Sequence, residues 1–267
     1  MSSLLERGIR VLELLAAHPE GLALSAVAAA TDMPLSATHR LLAELVRVGY
    51  ARQLRDQGDY VLTIKLVSLG LAFLSASGMV DVAQPALDAL AETSRELVRL
   101  AIVDGEDLVF VAKAQGATRG LRYDPDMGLS VPLSCSAAGH ALLSTLSDEQ
   151  ALERVARRGF GDPNDFGPRA PTSITAVLAY VRRARKLGYA TIVEVFAPGM
   201  SAMAAPVRLP SGPAIGVVTI AGPSVRLTEA RMAELSLPLM ATAQEVMAAS
   251  KASTMFARFR RSIEAAG

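Results

Sequence analysis

Apolar residues near the start of the chain recur at Leu5, Ile9, Leu12 and Leu15. Steps of three and four put them on one helix face, and "HPEG" should end that helix. A shorter helix follows, with Ser25 as its N-cap and Leu24, Val27, Ala28 and Thr31 on its inner side. "TDMP" reads as a turn. Pro34 then opens a third helix, where its missing N–H costs nothing, and Gly49 closes it. Two extended runs, Tyr50–Gln53 and Asp59–Leu62, flank a polar turn containing Gly58 and predict a hairpin. Three helices and a two-stranded ribbon in this order outline a winged helix-turn-helix.

"TIKLVSLGLAFLSASG" continues as helix, with Leu66, Leu69 and Phe73 on one side. The small residues "SASG" at 75–78 mark a domain boundary. A long amphipathic helix is expected from Val80 to Arg95, through Val82, Leu87, Leu90 and Ala91. The period then changes to two. "LVRLAIVDGEDLVFVAKA" predicts two strands around a turn at Asp104–Asp107. "SAAGHALLSTL" and "TAVLAYVRRARKLG" read as helices; "YATIVEV", "MSAMAAPVRL" and "AIGVVTIAG" read as strands, the last two joined by "PSGP". A last helix is expected from Thr228 to about Ser250. The pattern predicts an α+β chain of two domains. Residues 1–75 form the winged helix-turn-helix, 76–252 a linker helix with an antiparallel sheet and its packed helices, and 253–267 a basic tail. Lys251, Arg258, Arg260 and Arg261 stand against Glu264 around that tail.

On a helical wheel of the third helix, Arg40, Ala43 and Arg47 fall within about 40° of Ser36. Leu41, Leu45 and Val48 cluster opposite, with Leu42 nearby. Thr38 turns to the buried side and His39 lies at the edge of the exposed face. A helix that enters the major groove needs short side chains near its N-terminus and arginines for phosphate or guanine. Any surface helix shows polar residues; the short helix before this one and the ribbon after it favour DNA. The DNA-facing set is then Ser25, Ser36, Ala37, His39, Arg40, Ala43 and Arg47, with Arg52 and Arg55 from the ribbon.

The chain has 267 residues, enough for two cores, and a net charge of +1 that argues neither for nor against nucleic acid. Over residues 1–70, seven acidic residues balance seven basic ones. Between 34 and 55, however, Arg40, Arg47, Arg52 and Arg55 face only Glu44. This predicts modest non-specific affinity, with specificity that depends on a dimer holding two half-sites. Cys135 is the only cysteine, so no internal disulfide and no multi-cysteine zinc site is expected. Glu6, Arg7, Arg10 and Glu13 interrupt the N-terminal apolar pattern, which argues against a signal peptide. No apolar run approaches the roughly 18 residues of a membrane span. A cytoplasmic protein with no cofactor and no membrane partner is expected.

The chain resembles the IclR family of transcriptional regulators over nearly its whole length. The resemblance rests on "GIRVLELLAAHPEGLALSAVAAATDMPLSATHRLLAELVRVGYA", then "VPLSCSAAGHALLS", "LGYATIVEVFAPGMSAMAAPV" and "GVVTIAGPSVRLTEARMAEL" in that order. It implies a winged helix-turn-helix that dimerises, a linker helix, and an effector-binding domain of GAF-like α/β fold. It also implies homodimers or dimers of dimers on a palindromic double-stranded operator, with a small organic acid or aromatic compound as effector. The family's reading helix matches Pro34, Ser36, His39, Arg40, Leu41 and Leu42. Leu35 stands where many members have Lys, and Ala37 where many have Ser or Thr, so the operator is expected to differ from the commoner ones.

By the same resemblance the effector pocket is lined around Leu121, Tyr123 and Val131, and by Ala137 and Ala138 at a helix start, with Cys135 beside them. Ile192, Ala202, Thr219 and Ala221 complete it. Members that bind very small keto acids carry an acid near Ile192, a cysteine near Ala202 and serines near Thr219 and Ala221. Three of these four positions are apolar here. An effector with a sizeable apolar part is therefore expected, since buried polar groups without partners cost about 1–3 kcal/mol each. Where the effector has a carboxylate, the backbone N–H groups at the helix start, Ser136–Ala138, are the expected seat for it.

Two other classes compete. Cys135 and His140 stand at a strand–helix junction and could suggest a thiol hydrolase. Five residues of helix would separate them by about 140°, and no acid is placed to orient His140. "GMSAM" lacks the second glycine of a nucleophile elbow. Glu194 is isolated, His18 sits in the helix-ending "HPEG", and the run Arg182, Arg183, Arg185 and Lys186 reads as a solvated helix face. No enzyme is expected. The third class is a DNA-binding assembly protein whose second domain takes no ligand.

Overall fold

The computed structural model of the chain describes residues 3–55, 58–125, 131–208, 212 and 214–250. The basic tail lies outside the described residues, as does most of the "PSGP" turn. Two compact units divide between Ala76 and Ser77.

The first unit holds α1 (Leu4–Ala16), α2 (Leu24–Thr31), α3 (Leu35–Arg47), β1 (Ala51–Gln53), β2 (Tyr60–Leu62) and most of α4 (Ile64–Ser77). Ser3 and Glu6 form a reciprocal cap on α1. Of the expected face, Leu15 is in the core beside Val11 and Leu12 is half-buried, but Leu5 and Ile9 are exposed. A helix in so small a bundle buries only the stripe that meets α2 and β2. The turn before α3 is made by Asp32 in the left-handed conformation (φ 52°), which closes α2. Ser25 does not cap α2. Antiparallel bonding between Leu22 and Tyr60 fixes the preceding segment, and the helix begins two residues earlier than a Ser25 cap would set it, at Leu24 behind Ala23. Val27, Leu41, Leu42, Ala51 and Tyr60 complete the core.

The second unit is built on one antiparallel sheet. Its strands are β3 (Leu97–Asp104), β4 (Asp107–Gln115), β5 (Ala190–Val193), β6 (Met200–Arg208) and β7 (Ala214–Pro223), in the order β4-β3-β7-β6-β5. One face packs on α5 (Met79–Ser94) and α10 (Ser236–Ala249) through Leu87, Leu100, Met203, Ile220 and Leu239. The other meets α6 (Ala137–Leu143), α7 (Asp148–Arg158) and α8 (Ile174–Leu187) through Leu142, Val155, Val181 and Val217.

Two elements depart from the expected pattern. The helix α7 was not foreseen, although Ser147 and Gln150 form a capping box ahead of Ala151 and Val155. The last helix is two: α9 (Glu229–Glu234), capped by Thr228, is separated from α10 by Leu235, the C-cap of one and the N-cap of the other. Pro238 in the first turn of α10 has no N–H to continue the ladder. Among the described residues no single helix is long and apolar enough to cross a membrane.

Gly139 fixes how α6 seats on the segment before it. A Cβ at this position would stand 2.4 Å from the Leu133 carbonyl oxygen and 2.5 Å from its Cα. Because the obstruction is backbone, Gly139→Ala should lower stability by about 1–3 kcal/mol, measured as a reduced urea midpoint.

Candidate functional site

In α3 the exposed stripe is Ser36, His39, Arg40, Ala43 and Arg47, with Ala37 half-buried. Thr38 is fully buried, and its hydroxyl donates to the Pro34 carbonyl at 3.1 Å. Val48, foreseen on the buried side, is partly exposed because it stands at the helix C-cap. Arg47 is not free. It binds Glu44 one turn back at 2.6 Å, and this exposed pair raises the Arg47 pKa and lowers that of Glu44. The positive patch is thus carried by Arg40, with Arg52 and Arg55 exposed on and beside β1. Ser25 is exposed on α2. The arrangement offers a narrow cationic stripe with short side chains at its N-terminal end, suited to close approach of a polyanion.

The second unit contains a cavity of about 230 Å³ over the sheet face opposite α5 and α10. Strand register builds its floor. Ile192, Ala202, Ala221 and Leu97 stand in one cross-strand row; Ala204, Thr219 and Arg99 stand in the next. Alternation along the strands then separates large from small. On β6 and β7, Met203, Val218 and Ile220 turn to the packed face, while Ala202, Thr219 and Ala221 turn to the cavity. Phe110, Phe166 and Phe196 supply aromatic walls. Ser136, Ala137 and Ala138 bring the start of α6 to the same space.

Eight of the ten expected effector residues therefore line one cavity: Tyr123, Val131, Ala137, Ala138, Ile192, Ala202, Thr219 and Ala221. Leu121 and Cys135 do not. Leu121 is 67% exposed, ahead of the point where Tyr123 turns inward, and Cys135 is sealed in the core beneath α6. The sequence reading missed Arg99 and the three phenylalanines. Arg99 stands within "LVRLAIV", a charge inside an apolar strand, and that break in the pattern was the available signal.

Arg99 is 8% exposed, and its guanidinium lies over the Phe110 ring, 3.6 Å from the centroid. Its Nε has no hydrogen-bond partner. Burial lowers its pKa, opposed by the Tyr123 phenol and more weakly by Asp124. Burial also raises the Tyr123 phenol above its ordinary value. Asp124 is committed elsewhere, to Lys113 at 2.7 Å and Arg122 at 2.9 Å. With the Gln115 amide donating to the Tyr123 carbonyl, those pairs clamp the 122–124 segment onto β4.

Cys135 and His140 form no catalytic pair. Burial pushes the Cys135 thiol up to about 11, so it stays protonated. His140 is fully buried and stacks on Tyr180 at 4.8 Å. Its Nε2 lies 2.7 Å from the Ser134 carbonyl and so carries the proton, while Nδ1 has no partner. Glu194 is structural, accepting from the Gly199 N–H at 3.1 Å in the turn before β6. Arg182 and Arg185 bind Asp148 and tie α8 to the start of α7, rather than forming only a solvated face. Among the described residues no cluster of His, Cys, Asp or Glu is placed to hold a metal ion.

Burial depresses the His140 pKa from 6.5 to about 4. An unfolded histidine takes up its proton near 6.5, so between these values the unfolded state binds more protons and stability falls as pH falls. A His140→Gln variant, which keeps an N–H for Ser134, should lose about 2–3 kcal/mol of this acid sensitivity. Urea unfolding of both proteins at pH 7 and pH 4.5 measures the difference.

Two family models match the chain: the IclR helix-turn-helix domain over residues 4–55, and the bacterial transcriptional regulator IclR C-terminal domain over residues 71–248. The acetate operon repressor of Salmonella typhimurium is 30% identical over 244 residues, covering 91% of this chain and 88% of that protein. The transcriptional repressor IclR of Escherichia coli is 29% identical over the same shares. A transcriptional regulator from Rhodococcus sp. RHA1, 26% identical, superposes with a TM-score of 0.78 over 94% of this chain and 99% of its own. An IclR homolog from Microbacterium hydrocarbonoxydans, solved with 4-hydroxybenzoate, shares the fold at 22% identity and a TM-score of 0.78, over 94% of this chain and all of its own. Regulators of this kind are DNA-binding proteins that respond to small molecules, not enzymes. With both family models in chain order and both halves of the fold in place, the chain belongs to the IclR family of transcriptional regulators.

Proposed function

We propose that this regulator reads a palindromic operator as a homodimer or dimer of dimers, and that a one-ring or similarly sized organic effector with an apolar body changes that affinity. The apolar cavity over the sheet carries the effector half of this reading. A dry cavity of about 150 Å³ is enough to hold benzene, and this one is about 230 Å³. Its walls are aromatic and aliphatic, and its polar groups are few, which disfavours a ligand that is polar all round. The ligand of the Microbacterium homolog is a one-ring acid within that size.

The DNA half rests on α3. Residues 1–75 are the DNA-binding part and 76–252 the linker and effector part. Ser36, Arg40 and Ala43 face the groove, His39, Ala37 and Ser25 flank it, and Arg52 and Arg55 reach phosphate from the wing. Leu35 at the start of α3 is 55% exposed, and an apolar side chain there suits a thymine methyl group. Dimerisation accounts for the apolar side chains that α1 and α4 leave in solvent, among them Leu5, Ile64, Leu71 and Phe73.

Arg40→Ala should weaken binding to an operator selected from a random duplex pool by about 1–3 kcal/mol, while effector binding is unchanged. A gel-shift titration giving equal affinity for variant and wild type removes Arg40 from the reading surface. In a thermal-shift screen, compounds with an apolar ring or chain should stabilise the protein. Stabilisation by small polar keto acids alone would contradict the effector class.

A further inference from the structure

Among the described residues lining the cavity there is one full charge, on Arg99, and no Asp or Glu. The carboxylate nearest to hand, Asp124, already holds Lys113 and Arg122. Glu96, three residues before Arg99, holds Arg226 through two bonds of 2.7 and 2.9 Å. The phenol of Tyr123 is neutral and offers no counter-charge. Stacking on Phe110 supplies part of what Arg99 lost on leaving water. An arginine always carries its charge, and a buried charge without a counter-ion is costly. The charge is held in place nonetheless: Arg99 sits in mid-strand between β4 and β7, paired in register with Lys113 and Thr219. A guanidinium fixed by a sheet, stacked on one face, hydrogen-bonded to the neutral Tyr123 phenol and with Nε unbonded has the geometry to bind a planar anion.

We infer that Arg99 is the specificity-determining residue of the cavity and selects an organic monocarboxylate, whose carboxylate it binds while the apolar body lies among Phe110, Phe166 and Phe196. This deepens the proposed function and rests on its reading of the cavity as the effector site. It moves the carboxylate from the start of α6, where the sequence pattern placed it, to the sheet. One cation, with no second among the described lining residues, favours a monoanion over a dicarboxylate. The aromatic walls favour a ring or a branched hydrocarbon body over a hydroxylated one.

The test compares isosteric acids and amides on the full chain by isothermal titration calorimetry. The probes are benzoate with benzamide, 3-phenylpropionate with its amide, and toluene as a neutral body. The acids should bind at least tenfold more tightly than their amides. In Arg99→Gln that preference should vanish, and in Arg99→Lys part of it should return. A role confined to structure would change stability without changing the acid-to-amide ratio. Equal binding of acids and amides by the wild type, or a preference that survives in Arg99→Gln, overturns the inference and leaves the apolar-cavity reading standing. If none of the acids, amides or toluene binds, the cavity reading itself fails and the inference goes with it. Should Arg99→Gln not fold, the wild-type ratio and the Arg99→Lys variant still decide.

Discussion

The central strand β7 is buried along its whole length and paired on both edges, so both faces of the sheet must be covered. The second unit follows from how that cover is made. Side chains alternate between faces, and the strands use the alternation unequally. Val218, Ile220 and Met203 fill the face toward α5 and α10. Ala202, Thr219 and Ala221 on the opposite face are too small to reach the helices above them. The space left over is the cavity. Interiors pack to the density of organic crystals, so a void of this size in a sheet core is a positive feature of the sequence rather than slack.

Charge is handled in two opposite ways around this core. The deeply buried titratable groups His140 and Cys135 are kept neutral by desolvation, which removes them from acid–base and nucleophilic chemistry. Arg99 cannot be neutralised in the same way and is stacked instead. The acidic groups nearby are spent on structure: Asp124 clamps a segment to β4, Asp148 joins two helices, and Glu96 fixes the turn beyond β7. In the first unit the exposed Arg40, Arg52 and Arg55 form no ion pair among the described residues, whereas Arg47 is held by Glu44. The exposed face of α3 and the ribbon thus carry cations that form no ion pair among the described residues, and the cavity holds one buried cation.

Much of this was legible in the sequence because periodicity reports burial. The spacing of Leu41 and Leu42 against Ser36, Arg40 and Ala43 fixed the faces of α3, and Thr38 turned inward as the wheel required. The strand β4 was legible from alternation, and β3, β6 and β7 from short apolar runs bounded by turn signals. The positions that lack a pattern were harder. The stripe of α1 could not be told from its solvent face, because Leu4, Leu5 and Ile9 are as apolar as Val11 and Leu15. The α2 cap was decided by a tertiary bridge from Leu22 to Tyr60, which no local rule contains. The walls of the cavity come from segments far apart in the chain, so Phe110, Phe166 and Phe196 could be grouped only once the fold had brought them together. Arg99 was visible as an anomaly in an apolar strand, but that the nearby carboxylates Asp124 and Glu96 are bound to other cations is a property of three dimensions.

The proposed regulation requires coupling between the two units: occupancy of the cavity must change the affinity of the first unit for DNA. The direct measurement is operator affinity, by fluorescence anisotropy, across a titration of a monocarboxylate already shown by calorimetry to bind the chain. Coupling of the ordinary size predicts a shift of about 5- to 150-fold in the dissociation constant. An effector that saturates the cavity and leaves operator affinity unchanged would contradict the account and would reduce the second unit to assembly.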